Sequence, residues 1–164
     1  MRLAVAAVVC VHMHRQTHCG RSLVQMGAVS IVDGAHAIGN VGMDVSSLGA
    51  DAYATNLHTW LCTPKGTALL WVAEELQPRV KPLVASHGAG LGFVGEHFWA
   101  GTADLAGWLA VPAVVQMHER FGFKAQCKLR QSILEEGVAV LLKKFQCGLF
   151  CRMGCTALPV IALR

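Results

Sequence analysis

The sequence predicts an α/β fold in which helices flank a mostly parallel β-sheet, and three observations support this prediction. Hydrophobic residues make up 54% of the 164-residue chain and charged residues only 15%, as expected where parallel strands are buried on both faces. Short apolar runs bounded by turn residues recur through the first half of the chain. Two segments nearer the C-terminus carry apolar residues at helical spacing.

The N-terminal run LAVAAVVCV at residues 3–11 is predicted to be the first strand. It is similar to the apolar part of a signal peptide, but a polar segment follows it and no A-x-A cleavage pattern appears. Residues 20–27 are predicted to be the end of a helix that leads into a strand at 28–32. The loop at the C-terminal end of that strand begins with Asp33-Gly34-Ala35.

The middle of the chain predicts a short helix and two further strands. Asp44 is a suitable N-cap for a helix over 44–48, because its carboxylate can accept hydrogen bonds from the first helical turn. A turn then leads into a strand at 52–55. The Pro-Lys-Gly turn at 64–66 precedes an apolar strand at 67–72.

The second half of the chain is predicted to be a loop followed by two helices. Two prolines and five glycines predict a long loop region over 73–101. A helix is predicted at 104–120, with a kink at Pro112. A second helix is predicted at 126–145 from an apolar stripe at spacings of three and four, and the tail 146–164 has no clear class.

Composition also limits the compartment and the partners. The seven cysteines are odd in number and irregularly spaced, which predicts reduced thiols in the cytoplasm or an organelle matrix and argues against secretion. The net charge of +4 comes from scattered residues, so no nucleic-acid partner is predicted. No apolar run reaches the roughly 18 residues of a membrane helix. Metal-ligand residue types at 12–19 and 147–155 lack zinc-site spacing, so no metal site is predicted.

Two sequence blocks carry a family resemblance. Residues 32–72 read VDGAHAIGNVGMDVSSLGADAYATNLHTWLCTPKGTALLWV, and a second block reads EHFWAGTADLAGWLAVPA. Together they resemble the class V aminotransferase family, in particular its isopenicillin N epimerase-like and cysteine desulfurase-like branches. The resemblance implies a partial large domain of the aspartate-aminotransferase type, which is fold type I of the pyridoxal-phosphate (PLP) enzymes. Residues 1–122 are then the C-terminal half of that domain, and 123–164 a helix and the truncated start of the small domain.

Asp33 and His36 are the first candidate cofactor residues. The resemblance implies that Asp33 pairs with the pyridine nitrogen of PLP and keeps the ring protonated, which makes the ring a better electron sink. It places His36 at the position whose side chain reaches the phenolic oxygen. Taken alone, the sequence at Asp33 favours a turn or helix N-cap residue, since Asp-Gly is a common turn pair, and an isolated histidine is more often a polar loop residue.

The tripeptide His58-Thr59-Trp60 stands where the family normally has His-Lys-Trp. The family lysine holds PLP as a Schiff base, and a hydroxyl cannot replace its primary amine. Lys65 belongs to the Pro-Lys-Gly turn that the family also has, so it is not expected to substitute. His58 is a candidate phosphate contact, and its alternative is a loop histidine beside an aromatic residue. No catalytic residue is therefore assigned.

Thr102 is the last candidate. In the family the Gly-Thr of this block lies on a loop that contacts the cofactor phosphate of the partner subunit, so Thr102 is not expected in the cleft of its own chain. Backbone N–H groups at a helix start suit an anion. The alternative is that Thr102 caps the helix that begins near Asp104.

Two functional hypotheses follow. The first is a PLP-dependent protein of amino-acid metabolism (an epimerase, desulfurase or transaminase type) that is inactive in this form. The second is a non-catalytic pseudoenzyme or dimerisation module that pairs with a full-length paralogue. An active protein implies an amino-acid substrate, and the family implies a homodimer or a heterodimer.

Overall fold

The computed structural model describes residues 5–8, 28–145, 148–149 and 161–162, with side chains over 28–144. A four-stranded sheet contains β1 (Val5–Val8), β2 (Val29–Asp33), β3 (Ala52–Asn56) and β4 (Ala68–Val72), in that spatial order. The pairs β1–β2 and β2–β3 are parallel, which confirms the predicted α/β fold. β4 runs antiparallel to β3, because the connection between them is a loop that turns the chain back without a crossover helix.

One face of the sheet carries the core. Val32 of β2 and Tyr53 of β3 are neighbours in register, and they pack with Leu48 and Ala50 in one buried cluster. Asp51 links the start of β3 to β2, because its Oδ2 accepts hydrogen bonds from the backbone N–H and the hydroxyl of Ser30, at 2.8 and 2.9 Å. These contacts fix the register of β2 and β3, and with it the relative position of the loops that follow them.

The opposite face of the sheet is open. Ile31 is 37% exposed and Leu70 is 49% exposed, although both lie in strands. A pocket of about 750 Å³ covers this face and extends to His97 and Trp108. The prediction that the strands are buried on both faces is therefore wrong for this face of the sheet among the described residues.

The predicted N-cap is confirmed. The short helix is a 3-10 helix at Val45–Leu48, and the Asp44 carboxylate accepts hydrogen bonds from the Ser46 backbone N–H at 3.0 Å and from the Ser46 hydroxyl at 2.6 Å. Gly49 ends it in the left-handed region at φ 65°, which a glycine adopts without strain.

The long loop predicted at 73–101 is wrong in part. It contains a 3-10 helix at Gln77–Arg79 and helix α1 at Gly92–Phe98. Contacts outside the helix hold it in place. Glu96 is buried and accepts two hydrogen bonds from the Lys81 ammonium at 3.0 and 2.9 Å and one from the Gly90 backbone N–H at 3.3 Å. The Lys81 hydrogen bonds hold the pKa of Glu96 below its ordinary value.

The helix predicted at 104–120 is two helices. α2 covers Ala106–Leu109 and α3 covers Val111–Phe121. Pro112 lies in the first turn of α3 rather than at a kink inside one helix, because it lacks the N–H that a continuous helix needs. Leu105 is the N-cap residue of α2, and the Oδ1 of Asp104 accepts a hydrogen bond from the Ala106 N–H at 2.8 Å, so Thr102 is not the N-cap residue.

Helix α4 at Phe123–Phe145 confirms the second predicted helix and begins three residues earlier. Its apolar stripe is poorly covered: Val138 is buried, but Leu129 is 61% exposed and Ile133 is 59% exposed. Beyond it, β5 (Gly148–Leu149) pairs antiparallel with β6 (Ile161–Ala162). The predicted helix at 20–27 and the cysteine- and histidine-rich segments lie outside the described residues, apart from Gly148–Leu149 in the second of them.

Exposed apolar side chains are concentrated in residues 83–109, which we call the apolar segment. They include four helix residues and five loop residues: Leu83, Val84, Leu91, Val94, Phe98, Trp99, Leu105, Trp108 and Leu109. Such a concentration is unusual for a monomer in water. No helix in the described part of the chain has the length and apolar character that spanning a bilayer requires.

We expect the purified chain to associate through the apolar segment. Leu91 is 76% exposed and Phe98 is 84% exposed, so replacing both with lysine should lower the mass that light scattering reports. Gln116→Lys with Ser132→Lys is the matched control, since both are exposed polar positions and the added charge is the same. A sharp monomeric peak with a cooperative melt for the unmodified chain would contradict the expectation.

Candidate functional site

Two loops meet at the C-terminal edge of β2 and β3. Because these strands are parallel neighbours, their C-terminal ends lie side by side, which is where open α/β sheets bind ligands. Asp33 is the last residue of β2, is exposed, and is paired in register with Ala54. Its Oδ1 accepts a hydrogen bond from the Ala35 N–H at 3.0 Å. No hydrogen bond is formed by its Oδ2 within residues 28–144, so one carboxylate oxygen is available at the edge.

Gly34 fastens the first loop to β3. Its N–H donates to the Ala54 carbonyl at 2.8 Å, and its carbonyl accepts a hydrogen bond from the buried Thr55 hydroxyl at 2.8 Å. A Cβ at position 34 would lie 2.0 Å from the Tyr53 hydroxyl oxygen. Burial raises the pKa of Tyr53, the Thr55 hydrogen bond opposes this, and the charge of Asp33 adds a smaller upward contribution, so the phenol is neutral at physiological pH.

Asn56 links the two loops to each other. Its Nδ2 donates to the Ala35 carbonyl at 3.5 Å, and its Oδ1 accepts a hydrogen bond from the Thr59 N–H at 3.2 Å. Asn56 thereby joins the loop of Asp33 to the loop that carries position 59. The sequence analysis did not single out this residue, although a polar amide at the end of a predicted strand was an available signal.

Trp60 makes the second link between the loops. Its indole N–H donates to Nδ1 of His36 at 3.1 Å, and the two rings meet edge to face at 64° with centroids 6.2 Å apart. His36 and Thr59 are exposed, and Trp60 is half-buried. Asp33, His36 and Thr59 therefore lie at one edge of the sheet, as expected from parallel strands.

Helices α3 and α4 support both loops from behind. His118 is buried, and its Nε2 lies 3.1 Å from the Leu61 carbonyl oxygen while its Nδ1 lies 3.1 Å from Oε1 of Gln126. Arg130 donates to the same Gln126 oxygen at 3.2 Å and also to the Gly39 carbonyl. This network reaches the loop of His36 through Gly39 and the loop of Thr59 through Leu61. This network was not predicted from the sequence, where a polar histidine on the packed side of α3 was its only signal.

Most of the candidate cofactor residues lie outside the pocket on the open face. The pocket on the open face is lined by Asp33 and Asn56 but not by His36, His58, Thr59 or Thr102. This pocket therefore does not bring Asp33 together with His36 and Thr59. His58 and Thr102 are exposed, and Thr102 lies on the loop between α1 and α2, outside the lining of this pocket.

A sequence profile described as "Aminotransferase class-V" matches residues 12–157. The chain belongs to the class-V aminotransferase family. The match covers β2, β3, β4, both site loops and helices α1 to α4, so the family assignment does not rest on one motif.

The names of several relatives refer to L-cysteine. L-cysteine desulfhydrase of Arabidopsis thaliana is 41% identical over 91 residues, which are 55% of this chain and 20% of that protein. The probable chloroplastic L-cysteine desulfhydrase of the same plant is 34% identical over 128 residues, 73% of this chain and 26% of the relative. Isopenicillin N epimerase of Streptomyces clavuligerus is 31% identical over 112 residues, 58% and 28% of the two chains. The chain thus spans about a quarter of the length of these relatives.

Solved structures confirm the fold. The cysteine desulfurase CsdA of Escherichia coli superposes with a TM-score of 0.76 at 20% identity, over 99% of this chain and 43% of that one. The cysteine desulfurase of Thermococcus onnurineus superposes with a TM-score of 0.71 at 21% identity, over 93% and 41%. The chain therefore has the architecture of part of a fold type I PLP enzyme, as predicted.

Proposed function

We propose that this chain is a non-catalytic member of the class-V family that retains the non-covalent contacts for PLP and has lost its covalent attachment. The observation that carries the proposal is the placement of Thr59. It lies on the loop that Asn56 and Trp60 join to Asp33 and His36, and the family resemblance implies that this is the position of the Schiff-base lysine. A threonine there has no amine with which to hold an aldehyde.

The edge residues fit the non-covalent part of the cofactor. The free oxygen of Asp33 suits a protonated pyridine nitrogen, and an imidazole N–H at His36 suits the phenolic oxygen. His58 and, from a partner subunit, Thr102 are the proposed phosphate contacts. When bound, PLP supplies an electron sink for carbanion chemistry at an amino acid. This chain contributes the orientation of the ring, and it has no amine at position 59 to carry a proton at the substrate.

Neither Lys65 nor Lys81 is proposed to replace the missing amine. Lys65 is exposed in the turn at 64–66, and Lys81 is engaged by Glu96 in an ion pair of 2.9 Å. The ligand class that the edge accepts is therefore a pyridine ring with an anionic oxygen, held reversibly. The names of the relatives favour cysteine or a related amino acid as the substrate of an intact homologue.

A second candidate function is that of a dimerisation module, and the apolar segment favours it. This segment surrounds Thr102, and the family uses that loop between subunits. A second copy or a full-length paralogue would cover Leu91, Phe98 and Leu109, which are 76%, 84% and 77% exposed. The two functions are compatible, since a paralogue would bring its own lysine and phosphate loop. A reducing compartment, either cytoplasm or organelle matrix, suits the irregular cysteines.

The test of the proposed function is reversible binding of PLP. We expect Asp33→Asn to weaken binding roughly tenfold, because a charge-assisted hydrogen bond to the ring nitrogen becomes a neutral one. Binding is followed by quenching of tryptophan fluorescence. Asp44→Asn is the matched control, since that carboxylate is exposed and only caps a 3-10 helix. Equal affinity of Asp33→Asn and the unmodified chain, or no binding by either, would overturn the proposal.

A further inference from the structure

We infer that Trp60 is a positioning residue that fixes the tautomer of His36, so that His36 presents Nε2–H as a hydrogen-bond donor at the sheet edge. The assignment of the tautomer depends only on the contact between the two rings. Its use toward a ligand rests on the proposed function.

The chemistry of the contact permits one tautomer. An indole nitrogen can only donate, whereas a neutral imidazole has one donor and one acceptor nitrogen. The Trp60 Nε1 lies 3.1 Å from Nδ1 of His36, so Nδ1 must be the acceptor. The proton of the neutral ring is then on Nε2. The edge-to-face angle of 64° excludes parallel stacking, which leaves this bond as the specific contact.

The surroundings hold Trp60 in place for this role. A Cβ on Gly39 would lie 2.5 Å from the Trp60 carbonyl carbon and oxygen, so the two loops are in direct backbone contact there. Arg130 binds the Gly39 carbonyl, and His118 lies within hydrogen-bonding distance of the Leu61 carbonyl beside Trp60. Both sides of the contact are therefore fixed by α3 and α4, while His36 itself is exposed.

The consequence is selectivity for an oxygen acceptor. Nε2 of His36 has no hydrogen-bond partner within residues 28–144, and as an N–H donor it recognises a phenolate or carboxylate oxygen. The opposite tautomer would present a lone pair and repel the same oxygen. Trp60 thus determines which ligand atom the edge accepts without contacting the ligand itself.

The first test is nitrogen NMR of the full chain with labelled histidine at neutral pH. In the unmodified chain we expect the His36 Nδ1 resonance in the unprotonated range and Nε2 in the protonated range. In Trp60→Phe the two resonances should move toward each other as the tautomers mix. Trp99→Phe is the matched control, because Trp99 also lies against a histidine, with ring centroids 4.8 Å apart, but donates no indole hydrogen bond to it.

A second variant keeps the inference testable if Trp60→Phe does not fold. His36→Phe removes the acceptor and leaves Trp60 intact, so exchange of the Trp60 indole proton with water should accelerate about tenfold, as expected for one lost hydrogen bond. Protonated Nδ1 in the unmodified chain, or unchanged resonances in Trp60→Phe together with unchanged exchange in His36→Phe, would overturn the inference.

A binding comparison separates this inference from the proposed function. Pyridoxal phosphate and its analogue without the ring hydroxyl are titrated against the unmodified chain, Trp60→Phe and Trp99→Phe. We expect Trp60→Phe alone to lose preference for the hydroxylated ring. If the NMR result holds and neither compound binds any variant, the tautomer assignment stands and the proposed function fails. If both compounds bind equally to the unmodified chain, the ligand role of His36 is refuted.

Discussion

Gly34→Ala is expected to destabilise the chain by about 3 kcal/mol, toward the upper end of overpacking costs. The added methyl group would lie 2.0 Å from the hydroxyl oxygen and 2.1 Å from Cζ of Tyr53. Tyr53 is only 1% exposed and belongs to the core cluster, so its ring cannot move away. For a chain of this size the midpoint of thermal unfolding, followed by circular dichroism, should fall by about 6–12 °C.

A glycine-to-alanine substitution in α4 is expected to change the free energy of unfolding in the opposite direction. Gly137 lies inside α4, and a Cβ there meets no atom within 4 Å. Gly137→Ala should therefore stabilise the chain by about 0.5–1 kcal/mol, because alanine is the better helix former. A second check is Gly34→Ala combined with Tyr53→Leu, where the cost of the alanine should shrink since the ring is gone. Equal unfolding midpoints for Gly34→Ala and the unmodified chain would contradict the close contact between Gly34 and Tyr53 of β3.

The sheet and the capped helix were predictable because their signals are local. Apolar runs ended by turn residues marked β2, β3 and β4 to within one or two residues, and the carboxylate of Asp44 marked the 3-10 helix that follows it. Helix α1 was not predictable from composition. Its glycines indicated a loop, and the helix is held by the distant Lys81 through Glu96, a contact that sequence patterns do not reveal.

The site shows the same division. The motif residues Asp33 and Thr59 could be placed at one edge from the parallel arrangement of their strands. The residues that hold them there could not. Asn56 acts through hydrogen bonds to both loops, and His118 acts through the carbonyl of Leu61, 57 positions away in the sequence. The sequence spacing between Asn56 and its loop partners, or between His118 and Leu61, does not indicate that these residues are in contact.

We propose that the chain keeps the non-covalent contacts for PLP and lacks the lysine for covalent attachment, and chemical trapping tests this proposal. The chain is mixed with pyridoxal phosphate, reduced with borohydride, digested and mapped by mass spectrometry. We expect no lysine to carry a stoichiometric pyridoxyl group, because the family resemblance implies that Thr59 replaces the Schiff-base lysine, and Lys65 lies in an exposed turn. Scattered low labelling of surface lysines is the background that denatured protein also gives.

Thr59→Lys supplies the contrast in the same measurement. The new amine would stand on the loop that Asn56 and Trp60 tie to Asp33 and His36, so we expect labelling at position 59 above background, and less of it when Asp33→Asn is added. Ser132→Lys is the control, because it adds an exposed amine in α4, and its labelling should stay at background. Thr63→Lys is unsuitable as a control because Thr63 is buried. Labelling confined to position 59 of Thr59→Lys, with none at full occupancy in the unmodified chain, is the result the account predicts. A single lysine of the unmodified chain labelled to completion, Lys65 above all, would contradict it.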